Sequence, residues 1–224
     1  MKNILKYTFL LLIPLLSSMQ VQAQGKRITG PRFGVDLSGL VWRYVEPARA
    51  NIGVNFDFEV KPNIYPVVEA GRLTTDRKKA THRYLSKGYY AKLGFDHNFL
   101  KPQPATRYDM LYGGFRAGAS RFSHHAEEIT IHSDYWGNQI AKLNSKNLNA
   151  FWIEAVAGVK TEVFKNLFFC WSVRGQVMLN KSKDPRMSPW LIPGYGRASK
   201  STSLYVTYTI SYRLPLFRVP SRIQ

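Results

Sequence analysis

The sequence predicts an all-β chain: eight antiparallel strands, connected up and down and closed into a transmembrane barrel with a polar, side-chain-filled lumen. Three observations lead there. Eight segments of about ten residues carry apolar residues at every second position, the connections between them alternate short and long, and the chain begins like an exported protein. Strand side chains alternate faces, so each segment has one apolar and one polar side. In 151–163, Phe151, Ile153, Ala155, Ala157 and Val159 share one face, and Glu154, Gly158, Lys160 and Glu162 share the other.

The N-terminus reads as a signal peptide over 1–23. Lys2 and Lys6 precede an apolar stretch from Tyr7 to Leu16, and Val21, Gln22 and Ala23 form a small-residue cleavage site before Gln24. Pro14 interrupts that stretch well short of the roughly 20 residues a spanning helix needs, and no later apolar run is long enough either. Membrane residence must then come from strands, because only helices and closed barrels satisfy their backbone in lipid. The expected organisation is a periplasmic lead-in over 24–32, the barrel over 33–214 and a short periplasmic tail over 215–224. Cleavage takes two lysines and no acid from a net charge of +18, leaving +16. Cys170 is the only cysteine, which rules out an intramolecular disulfide; between Phe169 and Trp171 it reads as an inert, packed thiol.

The strands are expected at about 33–42, 50–60, 64–72, 87–98, 107–120, 149–163, 167–180 and 202–214. Connections after the second, fourth and sixth are short (61–63, 99–106 and 164–166), whereas those after the third, fifth and seventh are long and polar. Outer-membrane barrels have short periplasmic turns and long extracellular loops, and a periplasmic N-terminus places both sets on the right sides.

Period-two alternation alone does not say which face points inward. The polar faces carry Asp36, Asp57, Glu59, Glu69, Asp96, Glu154 and Glu162 against Lys92, Arg116, Lys160, Arg174 and Arg213, so half of the chain's 14 acids sit there. Opposed charges paired in a lumen account for this, since buried charges must be paired. Gly34, Gly53, Gly94, Gly118 and Gly158 share those faces, as a narrow interior requires. Aromatic residues near strand ends (Trp42 and Tyr44, Tyr89 and Phe99, Phe151 and Trp152, Phe168 and Phe169, Tyr212 and Phe217) suit interfacial girdles.

With these features the chain resembles the small eight-stranded outer-membrane proteins of Gram-negative bacteria, the class containing outer membrane proteins A and X. The resemblance spans nearly the whole mature chain. The segment Leu204 to Leu214 is similar to the terminal strand that the barrel-assembly machinery recognises, although the chain runs on through Pro215 to Gln224 where that class ends on an aromatic residue. The chain is also similar to outer-membrane barrel families known only as domains of unknown function.

An eight-stranded barrel is just wide enough for its own side chains, so open diffusion of solutes is not expected. The leading expectation is a non-enzymatic outer-membrane barrel, monomeric, with a structural or binding role. Its basic connections crowd Arg72, Arg77, Lys78, Lys79, Arg83 and Lys87 into one segment and Lys181, Lys183, Arg186, Arg197 and Lys200 into another. Of these, Arg77, Lys78, Lys79, Arg83, Lys183 and Arg186 are the candidates for contacting lipopolysaccharide or a partner. Export disfavours nucleic acid. An alternative is a lipid A deacylase or acyltransferase, with Ser123, His124, His125 and Glu127 as the group fitted to serine–histidine chemistry. A second alternative is a soluble exported barrel of lipocalin type. The segment 121–148 also holds Glu128, His132 and Asp134, but its adjacent histidines lack metal-site spacing, so neither metal nor cofactor is expected. Gly194 to Ser201 lacks the strand and helix flanks of a phosphate-binding loop and reads as a plain connection.

Overall fold

The computed structural model describes residues 27–78, 83–100, 108–131, 139–180 and 189–219; the expected signal peptide lies outside them. Eight strands close into a barrel: β2 (Arg32–Asp36), β3 (Arg49–Asp57), β4 (Ile64–Lys78), β5 (Arg83–Asn98), β6 (Met110–Ile131), β7 (Gln139–Phe164), β8 (Leu167–Asn180) and β11 (Thr202–Arg213). Each pairs antiparallel with its neighbour in sequence, and β11 returns to β2. Below this ring β1 (Arg27–Thr29) pairs with β12 (Phe217–Val219), so the lead-in and the tail bind each other. A two-stranded hairpin, β9 (Leu191–Ile192) with β10 (Gly196–Arg197), lies in the connection between β8 and β11.

The register fixes the tilt. Followed from Thr202 through Val177, Ile153, Ala117, Leu93, Val68, Phe56 and Phe33, the pairing returns to β11 at Tyr212, ten residues from its start. That stagger corresponds to strands inclined by roughly 40° to the barrel axis, in the range for membrane barrels.

The barrel is apolar outside and ionic inside. Phe33, Val54, Val68, Leu93, Phe95, Phe115 and Ile153 are exposed, whereas Asp57, Lys92, Asp96, Arg116, Glu154 and Arg174 are buried. This is the reverse of a soluble lipocalin-type barrel.

Three expectations need correction. The first strand does not continue to residue 42: β2 stops at Asp36 and α1 (Ser38–Val45) follows. Leu40, Val41 and Trp42 are contiguous apolar residues, which fit a helix and break a period of two. Asp36 Oδ1 accepts the Ser38 N–H at 2.8 Å and starts the turn. Glu46, ahead of Pro47, is extended and ends the helix. Second, β4, β5, β6 and β7 run well past their expected loop-end limits, so most of the expected 121–148 loop is β-hairpin. Third, aromatic doublets cannot both face lipid on a strand. Phe151 is exposed while Trp152 is fully buried in the lumen, and Phe168 is likewise inside.

At the terminal end, Asn63 and Asn166 take positive φ (67° and 66°) in the tight turns after β3 and β7. Asparagine tolerates that region, which explains its place in both short connections.

Candidate functional site

From the terminal end upward, the lumen is a column of ion pairs. Arg213 donates to Asn166 Oδ1 at 2.8 Å, lies 3.5 Å from Glu162 and stacks 3.6 Å over the Tyr108 ring. Above it, Asp57 takes Arg32 on one oxygen and Lys160 on the other, the latter at 2.7 Å. Arg116 bonds Asp96 at 2.6 Å and reaches Glu69 at 3.4 Å. Arg174 joins Glu69 at 2.6 Å to Glu154 at 3.5 Å, and Lys92 lies 2.7 Å from Glu154. Trp152 Nε1 donates to Glu154 at 2.6 Å, and Lys92 Nζ donates to Tyr205 Oη at 2.8 Å.

Ten of the twelve residues expected in the lumen belong to this column. The other two sit at its rims. Asp36 caps α1, and Glu59, just beyond β3, accepts from Thr29 Oγ1 and the Asn63 N–H. The column also contains Arg32, which the expected strand start at 33 left out. Its signal was present, since Arg32 shares a face with Gly34 and Asp36. Cys170 is buried in the lumen wall beside Ser211.

Toward the loop end the ionic column gives way to an apolar plug. The β9–β10 hairpin folds inward, placing Ile192 and Tyr195 against Tyr90, Phe122, Ala150 and Trp152. Gly194, at φ 75°, lies against the Tyr90 ring, where no side chain would fit. Gly118 makes the equivalent room on the wall: a Cβ there would run into the Trp152 indole. Gln176 donates to the Gly194 carbonyl at 3.1 Å, and burial pushes the Tyr195 phenol above its usual pKa. Open passage through the lumen is therefore closed twice, by charge pairs and by packed rings.

Ser123, His124, His125 and Glu127 do not converge. They alternate along β6, so His124 points inward, fully buried, while Ser123, His125 and Glu127 lie on the outer face beside Lys87, Leu85 and Arg83. His124 Nδ1 is 3.2 Å from Tyr84 Oη, which accepts the Trp190 N–H at 3.1 Å; this links wall to plug. A serine–histidine pair needs both groups on one side, and Ser123 with His124 fails that test.

Of the expected anion-contacting residues, Lys78 is exposed on the outer face. Arg77 turns inward and stacks 4.3 Å over Trp190, and Arg83 forms a two-pronged pair with Asp76 at 2.9 and 2.6 Å. Lys79, Lys183 and Arg186, like His132 and Asp134, lie outside the described residues. A different cationic feature emerges from the register. On the outer face, Arg72, Tyr89 and Arg121 are successive cross-strand neighbours, with Lys87 in the next row up. Below them lie rows of Ala70, Ala91, Ala119 and Phe151, then Val68, Leu93, Ala117 and Ile153, then Pro66, Phe95, Phe115 and Ala155. The cations form the upper border of an apolar belt.

One cleft of roughly 360 Å³ lies between α1, the upper part of β11 and the β9–β10 hairpin. Arg49, Asn51, Lys92, Arg174, Arg197 and Lys200 line it with Asp36, Glu46 and Glu69.

The family described as Domain of unknown function (DUF6048) matches residues 4–219. No curated protein matches the sequence. Similar solved structures include Ail, the attachment invasion locus protein of Yersinia pestis, in complex with the heparin analogue sucrose octasulfate, at 9% identity over 83% of this chain and 99% of that chain, with a TM-score of 0.41. The N-terminal β-barrel domain of Pseudomonas aeruginosa OprF is 13% identical over 85% and 100%, with a TM-score of 0.38. Neisserial surface protein A is 8% identical over 84% and 96%, with a TM-score of 0.41. At these identities the likeness is one of fold alone.

Proposed function

We propose that this chain, which belongs to the DUF6048 family of unknown function, is a non-enzymatic outer-membrane barrel with a structural or binding role, its loop end facing outward. The observation that carries this reading is the cationic border formed by Arg72, Tyr89 and Arg121 directly above the apolar belt. A belt of that kind sits in acyl chains, and its upper border then lies at the level of the outer leaflet's phosphates, including those of lipopolysaccharide. A cation there gains about 1 kcal/mol from an anionic surface. Arg72 stacks 5.5 Å from the Tyr89 ring, which holds its charge at the interface. On this reading the barrel wall supplies a basic contact of its own, below the loop-end segments that carry Lys78, Lys79, Lys183 and Arg186. The closed lumen argues against a channel, and the split of Ser123 from His124 argues against catalysis by that pair.

The test is retention of lipopolysaccharide by the purified full chain in detergent, with heat-modifiable gel migration as the check on folding. Arg72→Gln with Arg121→Gln should lower retention roughly tenfold, and added salt should produce the same loss in the parent chain, because exposed ionic contacts are screened. Equal retention of dephosphorylated lipopolysaccharide would defeat the phosphate contact. A chain that stays soluble in the periplasm would defeat the whole reading.

A further inference from the structure

The barrel wall is incomplete on one side. β2 ends at Asp36, opposite Thr209, yet β11 continues upward from Tyr208 to Thr202. Tyr208 turns both backbone groups toward α1: its carbonyl accepts the Leu37 N–H at 2.8 Å, and its N–H donates to Ser38 Oγ at 2.9 Å. Alternation aims the backbone groups of Val206 and Leu204 the same way. Among the described residues, neither finds a partner on that side. An open strand edge at membrane depth is costly unless something polar meets it.

This edge sits high in the barrel. Leu204 is eight residues above Tyr212, which at about 3.3 Å per residue and a 40° tilt is roughly 20 Å, in a barrel type whose apolar band is about 25 Å tall. The edge therefore lies in the outer half of the membrane, and the cleft runs along it, lined by Thr202, Leu204 and Thr207 of the unpaired stretch, so we read it as open to the side. Outside the opening, Leu204 is 76% exposed, and Leu40 and Val41 of α1 are 67% and 51% exposed. Inside it, the deep cations Lys92 and Arg174 are already neutralised by Glu69 and Glu154. The mouth is different. Arg49 has a buried Nε without a hydrogen-bond partner and lies 5.4 Å from the Trp42 ring. Arg49 and Lys200 make no ion pair among the described residues, and Arg197 reaches Glu46 only at 4.0 Å. Of the acids there, Asp36 accepts the Ser38 N–H and Glu46 lies 4.0 Å from Arg197; both also act on the charge of Arg49, though neither forms an ion pair with it.

We propose that this lateral cleft holds the headgroup of a phosphorylated glycolipid from the surrounding leaflet. The phosphate lies between Arg49 and Lys200, and the acyl chains stay outside against Leu204, Leu40 and Val41. A sugar headgroup carries hydroxyls that donate as well as accept, which suits an edge presenting both N–H and C=O groups. The proposal rests on the membrane reading above, but it uses different residues from the cationic border.

Native mass spectrometry of the full chain in detergent tests it with three probes: a phosphorylated disaccharide lipid, the same lipid without phosphate, and phosphatidylglycerol. One equivalent of the first should be retained, at least tenfold more tightly than either other probe. Arg49→Gln with Lys200→Gln should lower that affinity tenfold or more, whereas Lys61→Gln, at the opposite end, should leave it unchanged. If the double variant loses its heat-modifiable migration, Lys200→Gln alone, in an exposed connection, serves as the variant and should still weaken binding several-fold. Equal binding of the dephosphorylated lipid or of phosphatidylglycerol, or no effect of the cleft substitutions, overturns the proposal. If the Arg72 and Arg121 substitutions still act while those at the cleft are silent, only the cleft is refuted. If both pairs are silent, the anionic-lipid reading of the protein falls with it.

Discussion

The wall built from β4 to β7 and the wall built from β11, β2 and β3 solve the same problem by different means. On the first, strands of 15 to 26 residues pair along long ladders, broken in β6–β7 by irregularities after Phe122 and Ala126, and Glu69, Lys92, Asp96, Arg116 and Glu154 add ion pairs on the lumen side. On the second, β2 offers five residues. There α1 covers part of the gap above Asp36, and at the terminal end, where β2 still pairs, Arg32 of β2 and Lys160 of β7 meet on Asp57 of β3 and tie this wall to the far side of the lumen. Where the ladder stops, above Asp36, α1 covers the edge of β11 only in part, and the opening that remains becomes available for recognition.

The sharpest way to break this contrast is to remove one aspartate from each wall. Asp57 and Asp76 both pair with arginine, but Asp57 is 1% exposed and Asp76 is 45% exposed. Asp57→Ala leaves Arg32 and Lys160 buried without their shared anion and should cost about 3–5 kcal/mol. Asp76→Ala breaks a solvated pair and should leave stability unchanged within error. Denaturant unfolding of the folded chain in detergent, followed by heat-modifiable migration, measures both. A loss for Asp57→Ala as small as that expected for Asp76→Ala would mean that the short wall does not depend on its cross-lumen ions.

The tall wall depends more on the plug it shelters. Tyr195 packs 5.9 Å from Trp152 and donates from its hydroxyl to the Lys200 carbonyl at 2.9 Å. Tyr195→Ala should destabilise by about 2–3 kcal/mol, from lost burial and the cavity left behind. It should also expose residues 189–201 to protease while the strands stay protected. Cleavage in β11 instead would show that the plug and the short wall unfold together.

Most of this division could be read from the amino-acid order, and the unread parts have physical causes. Alternation identified eight strands and put Asp57, Lys92, Arg116, Glu154 and Arg174 on one face, because a period of two carries face information directly. It could not carry contacts between faces of distant strands, so the joining of Arg32 to Lys160 through Asp57 was invisible. The inward fold of β9 and β10 was also hidden. Leu191, Ile192 and Tyr195 look like an ordinary connection, since three apolar residues among glycine and proline have no period. Trp152 was misplaced for a related reason: an aromatic doublet marks a membrane border by composition, while alternation sends one ring inward. At α1, the contiguous Leu40, Val41 and Trp42 were a readable sign that the strand had ended.

The smallest expected effect bears on how tightly α1 closes the short wall. Gly39 sits on the helix face against β3, where an added Cβ would run into the Asn51 carbonyl oxygen. Two terms of opposite sign compete in Gly39→Ala. Alanine favours the helix by about 0.8–1 kcal/mol over glycine, and overpacking against a fixed backbone costs about 1–3 kcal/mol. If α1 is seated on β3 as a true part of the wall, the clash wins and the variant loses about 1 kcal/mol, with faster proteolysis at Pro47 and Ala48. If α1 is only draped over the gap, it moves aside, the helix term wins, and the variant is neutral or slightly more stable. The sign of one small number therefore reports whether the helix substitutes for the missing strand or merely shades the edge of β11.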